Sequence, residues 1–265
     1  MTTAIPIILG RLEISLIVGT IVGIGTSLLG IFIIMKRLAL AGDALSHVAL
    51  PGIGIAIAVG INPFIGALTA LILGVIIIIA IDRHTTIPLD AAVGIILSAA
   101  LALGVLFFPS AESLMDALFG SIFKLTTTDA IVGTILGLGV IIITLIKFKD
   151  LIHLSLSREL AQSEGIAVDK DEFLLLFLLA VMVAVGIKIV GILLLGALVV
   201  IPAAAARNIG RDMRNVTMLT VIFGLSTVIA GITLAAQLQM PSGPMVVFAN
   251  VLIFSISLFW SGVKN

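Results

Sequence analysis

Residues 48–81 read VALPGIGIAIAVGINPFIGALTALILGVIIIIAI, 34 positions without one charged side chain. A single helix of that length would be about 51 Å long, too long for a bilayer core of roughly 30 Å. Asn62-Pro63 supplies the break, because proline disfavours helical geometry in the residue before it. The stretch therefore predicts two membrane-spanning helices joined by a tight turn. The runs do not alternate polar and apolar residues, as the strands of a membrane barrel would.

The same pattern extends in both directions. Ile14–Met35, Ala91–Phe108, Ala130–Ile146, Phe173–Ile187, Ile189–Ala206, Val216–Ala236 and Met240–Val263 are further uncharged runs. They predict an all-α polytopic bundle with nine candidate helices, near 14–35, 41–60, 64–81, 91–108, 130–146, 173–187, 190–206, 216–236 and 244–262. A short or re-entrant second helix would reduce the count to eight. Lys188 and Gly191 are read as the turn between the sixth and seventh helices. The first ten residues hold no Lys or Arg, so they lack the basic start of a signal peptide.

Composition agrees. Of 265 residues 61% are hydrophobic and 11% charged, and the mean hydropathy is +1.38. That excludes a soluble monomer and a disordered chain. Fourteen basic residues balance fourteen acidic ones, so no basic field attracts nucleic acid. The chain has no Cys, which excludes disulfide and thiolate chemistry and leaves the redox compartment open.

Placing the C-terminus in the cytoplasm puts eleven Lys and Arg residues inside and only Arg11, Lys124 and Lys188 outside. Segment 147–172 then lies inside, with ten of the 28 charged residues. Within it, Leu154 to Gly165 predicts one short amphipathic helix that Ser157 caps and Gly165 ends. Its apolar stripe would be Leu154, Leu156, Leu160, Ala161 and Ile166, flanked by Arg158, Glu159 and Glu164. The two readings are a solvated loop and a docking surface for a soluble partner, with Arg207 to Arg214 as the alternative surface.

Among the polar residues, Asp43 and His47 are four apart and share one helix face. A carboxylate beside an imidazole is half of a site for a borderline divalent metal such as zinc or manganese. The other reading is a solvated pair at a helix end. Two ligands are too few for tight binding, but a two-fold dimer supplies four. Ser46 points about 100° away from His47. Pro51 and Gly52 predict a helix break beside the pair, and Pro202 a kink in a later helix packed by small residues. His84 and His153 are read as solvated, Asp90 and Asp129 as helix caps, and Glu112 and Asp116 as a soluble face. Gly19-x-x-x-Gly23 and Gly133-x-x-x-Gly137 permit close helix contacts. None of the seven Lys residues is followed by Ser or Thr, so the chain carries no phosphate-binding loop for ATP.

Gly42-Asp-Ala-Leu-Ser-His-Val-Ala-Leu-Pro-Gly52 resembles the signature of the permeases of zinc, manganese and iron ABC importers. Asp90-Ala-Ala-Val-Gly-Ile-Ile-Leu-Ser98, Arg158-Glu-Leu-Ala-Gln-Ser-Glu-Gly-Ile166, Gly196 to Ala206 and Pro241-Ser-Gly-Pro244 are similar to further segments of that family, and the likeness runs from about 14 to 262. It implies a type II importer-like, single permease domain over 1–265 in a prokaryotic plasma membrane, with a coupling segment at about 147–172. It also implies a second copy of the chain, two cytoplasmic ATPase subunits, an extracellular metal-binding protein and a transported divalent metal ion. By this resemblance Asp43 and His47 are pore ligands, and 154–166, with Glu159 at the matching acid, contacts the ATPase. The histidine-rich loops of some zinc members are missing, so the metal stays open. The alternatives are a stand-alone secondary carrier and a membrane scaffold.

Overall fold

The computed structural model describes residues 4–87, 89–120 and 125–262, with side-chain surroundings for 12–87, 91–120 and 125–260. The described residues form twelve helices and no strand. Nine are long: α1 (Ala4–Met35), α2 (Ala39–Val59), α3 (Pro63–His84), α4 (Leu89–Phe107), α6 (Thr127–Ile146), α9 (Val168–Val190), α10 (Ile192–Ile209), α11 (Met213–Leu238) and α12 (Ser242–Gly262). Three are short: α5 (Ala111–Phe119), α7 (Phe148–Leu156) and α8 (Arg158–Ser163). Eight of the long helices are long and apolar enough to cross a membrane, and the ninth apolar helix is α4.

The expected cut between α2 and α3 is built as the sequence dictates. Gly60 closes α2 at φ +78°, where a side chain would be strained. Asn62 caps α3 by accepting the Phe64 N–H at 2.9 Å, and Pro63 takes the first helical position.

Loop contacts define two ends of the bundle. At one, Lys36 pairs with Glu172, Arg158 with Asp82, and Lys147 with Asp171. At the other, Lys188 pairs with Asp129, and Ser242 donates to the carbonyl of Ile189. The nine long helices alternate between these ends, so α2 runs the full distance and is not re-entrant.

α2, α3 and α4 pack together, and α1, α10, α11 and α12 form a second group. α10 bridges to α2, and α9 is buried along most of its length between the groups. Small residues set the closest crossings. A Cβ on Gly52 would lie 2.1 Å from the Gly66 carbonyl, and one on Gly66 2.2 Å from the Gly52 carbonyl. The expected glycine pairs behave likewise: Gly23 meets Gly224 of α11, while Gly133 and Gly137 meet α1 and α9 side chains. Outward faces stay apolar, with Leu73, Ile135, Ile146 and Phe259 among the exposed large side chains, as lipid contact allows.

Several expectations are corrected. α2 continues through Pro51 without a break; the proline removes one donor, that for the carbonyl of His47, and the packed neighbours hold the helix. Gly52 therefore serves the α2–α3 crossing and no break. α10 is likewise continuous through the buried Pro202, so there is no break there either. Lys188 lies inside α9, because Asp129 neutralises it at 2.6 Å; the turn comes at Gly191, at φ +85°. Pro241-Ser-Gly-Pro244, one of the segments similar to the family, opens α12, which starts at Ser242.

Candidate functional site

α2 opens one tight turn after α1. The Leu38 N–H donates to the Ile33 carbonyl at 2.9 Å and the Arg37 N–H to that of Ile34 at 3.0 Å. Arg37 sits at φ +59°, a left-handed conformation that costs a non-glycine residue energy. The turn brings α2 up against α10, where a Cβ on Gly196 would lie 2.8 Å from the Cα of Asp43. Only glycine allows that approach.

On this stretch Asp43 and His47 share a face, with the carboxylate Oδ1 3.9 Å from the imidazole Nε2. That is too long for a hydrogen bond. Two ligands about 2.1 Å from one ion lie at most about 4.2 Å apart, so the pair can hold a common divalent metal. The Asp43 side chain is 44% exposed and that of His47 9%. The buried Nδ1 of His47 has no hydrogen-bond partner. Ser46 is turned away and donates to the Gly42 carbonyl at 2.9 Å. Among the described residues no group of three or more His, Asp or Glu side chains could hold a metal.

The expected single helix from Leu154 to Gly165 is divided between the end of α7 and the whole of α8. Ser157 has an extended backbone, ends α7, and caps α8 by accepting the Leu160 N–H at 3.2 Å. Phe148 packs edge-on against Phe32 of α1, with ring centres 5.4 Å apart. The expected stripe is thereby divided. Leu154 and Ala161 are buried against the bundle, while Leu156 and Leu160 are exposed. Gly165 turns the chain after α8 at φ +78°.

The polar flanks are divided too. Glu159 is exposed and accepts the Ser157 hydroxyl at 2.5 Å, which together with its backbone holds its carboxyl below the ordinary range. Glu164 pairs with His153, so that histidine is not simply solvated. Arg158 turns inward to Glu172 at 3.1 Å, Asp169 at 3.3 Å and Asp82 at 3.7 Å. Lys147 bonds Asp150 at 2.9 Å and Asp171 at 3.3 Å, and the Asp150 bond leads in raising its pKa. Neither Glu172 nor Lys36 stands out in the sequence. The available signal is a pair of acids, Asp171 and Glu172, directly before an apolar run.

At the other end, Thr126 and Asp129 form a reciprocal capping box for α6, which agrees with a capping role for Asp129. The side chain of Asp90 lies outside the described residues. His84 is exposed, as expected. Asp116 is no plain soluble face: with Lys188 it lines a cavity of about 230 Å³ between α2, α3, α5 and α9.

The sequence profile of the ABC 3 transport family matches residues 11–261. The chain belongs to the ABC 3 transport family. The high-affinity zinc uptake system membrane protein ZnuB of Haemophilus influenzae is 34% identical over 252 residues, covering 92% of this chain and 95% of the relative. The manganese import system permease protein ScaB of Streptococcus gordonii is 33% identical over 251 residues, or 94% of this chain and 90% of the relative. The solved structure of PsaBC from Streptococcus pneumoniae in complex with Fab contains a chain 30% identical to this one. It matches with a TM-score of 0.84 over 96% of this chain and 95% of that chain. As a member of the ABC 3 family the chain is a multi-pass membrane subunit of a transporter, and its bundle is that of ABC permeases.

Proposed function

We propose that this chain is the permease of an ABC importer for a divalent transition metal, zinc or manganese. The observation that carries the reading is the Asp43–His47 pair: two metal-type ligands 3.9 Å apart on a membrane-spanning helix. An ionisable group inside a membrane is costly unless it faces a partner or a water-filled path. Asp43 is half-open in the single chain, so a second copy covers it. Two facing pairs then supply the four ligands that one chain lacks.

Energy comes from elsewhere. Without a phosphate-binding loop, the chain depends on a separate cytoplasmic ATPase, two copies for a dimeric pore. The exposed Leu156, Glu159 and Leu160 on and before α8 are the contact surface. An extracellular metal-binding protein delivers the ion to the opposite end. The basic-residue excess supports a cytoplasmic side for α7, α8 and the C-terminus, and membership of the family supports the plasma membrane of a prokaryote. Zinc and manganese are the metals in the names of the relatives above, and both suit a carboxylate–imidazole pair.

The test is metal uptake into proteoliposomes with and without the partner ATPase. Uptake that needs ATP and the ATPase is expected, and competition between zinc and manganese identifies the cargo. Uptake without any ATPase would establish a stand-alone carrier instead.

A further inference from the structure

Glu172 has an arrangement that neither the metal pair nor the exposed face of α8 explains. Its side chain is only 10% exposed, at the start of the central helix α9. Both carboxylate oxygens are engaged, by cations from different parts of the chain. Oε1 accepts from Lys36 Nζ at 2.6 Å, and Oε2 lies 3.1 Å from Arg158 Nη2. Lys36 begins the turn into α2, seven residues before Asp43, and Arg158 is the first residue of α8. One buried carboxylate thus joins the helix that would meet the ATPase to the turn that leads into the helix carrying the metal pair.

We propose that Glu172 is the positioning residue through which movement of α8 reaches α2. Arg158 has a second set of acceptors, Asp169 at 3.3 Å and Asp82 at 3.7 Å, both less buried than Glu172. A shift of α8 can therefore pass Arg158 from Glu172 to that outer pair without stranding its charge. Glu172 then has Lys36 alone, and the charge balance at the root of α2 changes. The turn that follows is short: the Arg37 and Leu38 N–H groups bond the Ile34 and Ile33 carbonyls of α1, and the Leu38 carbonyl accepts the Ala41 N–H of α2 at 2.8 Å, so displacement of Lys36 reaches the first turn of α2 through Leu38. Exchange of one cation between two sets of acceptors is the kind of change that transmits coupling between distant sites.

The inference rests on the ATPase-driven permease reading. It is tested by measuring metal uptake and ATP hydrolysis in the same proteoliposomes, with zinc or manganese as the probe and the partner ATPase present. Glu172→Gln should still co-purify with the ATPase and hydrolyse ATP, while ions taken up per ATP fall about tenfold, within the usual range of coupling between sites. Lys36→Gln should give the same loss, and the double variant no more than either single one. A merely structural role would lower uptake and hydrolysis together, so an unchanged ratio overturns the inference. If Glu172→Gln does not assemble, Lys36→Gln reads the same ratio, and a fall or its absence there decides the matter in the same way. Wild-type vesicles that show no ATP-driven uptake would defeat the permease reading itself. Normal wild-type uptake with unchanged ratios in the variants would defeat only the role of Glu172.

Discussion

The start of α2 and the segment around α7 and α8 treat polar side chains in opposite ways. On α2, Asp43 and His47 are close but not bonded, and a buried ring nitrogen has no partner. Around α7 and α8, Arg158, Lys147, His153 and Glu164 are all taken up in ion pairs. Leaving a buried polar atom unpaired costs stability, and it persists where something else will use it. Pairing charges at a helix junction instead fixes geometry. The first region has the properties of a binding site, the second those of a mechanical joint.

That contrast is open to test, and the largest effect is expected on α2. Asp43→Asn or His47→Ala should reduce metal uptake on the order of a hundredfold or more, since removal of even an outer partner of a metal ligand costs 10–100-fold. The thermal midpoint should hardly move in Asp43→Asn, whose half-exposed side chain makes no hydrogen bond that the fold needs, whereas His47→Ala also loses the packing of a buried ring. A large drop in the midpoint of Asp43→Asn would make the pair structural and erase the contrast.

The next effect divides the joint itself. Leu154 is 2% exposed and Leu160 40%. Leu154→Asp buries an unpaired charge and should cost several kcal/mol of stability, seen as loss of folded protein on size-exclusion chromatography. Leu160→Asp should leave folding intact and weaken ATPase binding by about 2 kcal/mol, roughly thirtyfold, in a pull-down titration. Equal damage from both would mean that α7 and α8 have no distinct inner and outer faces.

Smaller still is the cap. Ser157→Ala removes the acceptor for the Leu160 N–H and should cost about 1 kcal/mol locally, read as faster amide exchange across α8. The smallest effect is on pH dependence. The Ser157 hydroxyl holds the Glu159 carboxyl below its ordinary range. A carboxyl lowered by folding contributes stability above its unfolded value and loses that contribution as pH falls through its folded value. Amide protection in α8 should therefore decline on acidification below about pH 4.3, the ordinary Glu value. Glu159→Gln should abolish that decline.

The sequence is most legible where one local rule meets no competitor. Length against bilayer thickness, with Asn62-Pro63 as cap and first residue, is enough to divide α2 from α3. The (i, i+4) spacing of Asp43 and His47 is enough to put them on one face. Where a distant partner intervenes, local rules mislead. Lys188 reads as a helix boundary until Asp129, far away in sequence, neutralises it. Pro51 reads as a break until α3 and α4 pack around it and Gly52 meets Gly66. Ser157 reads correctly as a cap, but a cap must begin a helix, and that fact alone argues against one helix from 154 to 165. Lys36, Arg158 and Glu172 are illegible as a cluster because nothing local brings 36, 158 and 172 together.

The central claim is that the metal site is built from two copies of one pair, and the most direct measurement is the number of ions bound per chain. Equilibrium dialysis of the purified protein with zinc or manganese should give one tightly held ion per two chains, lost in His47→Ala, with the protein dimeric throughout. One ion per chain, or binding that survives His47→Ala, would contradict it.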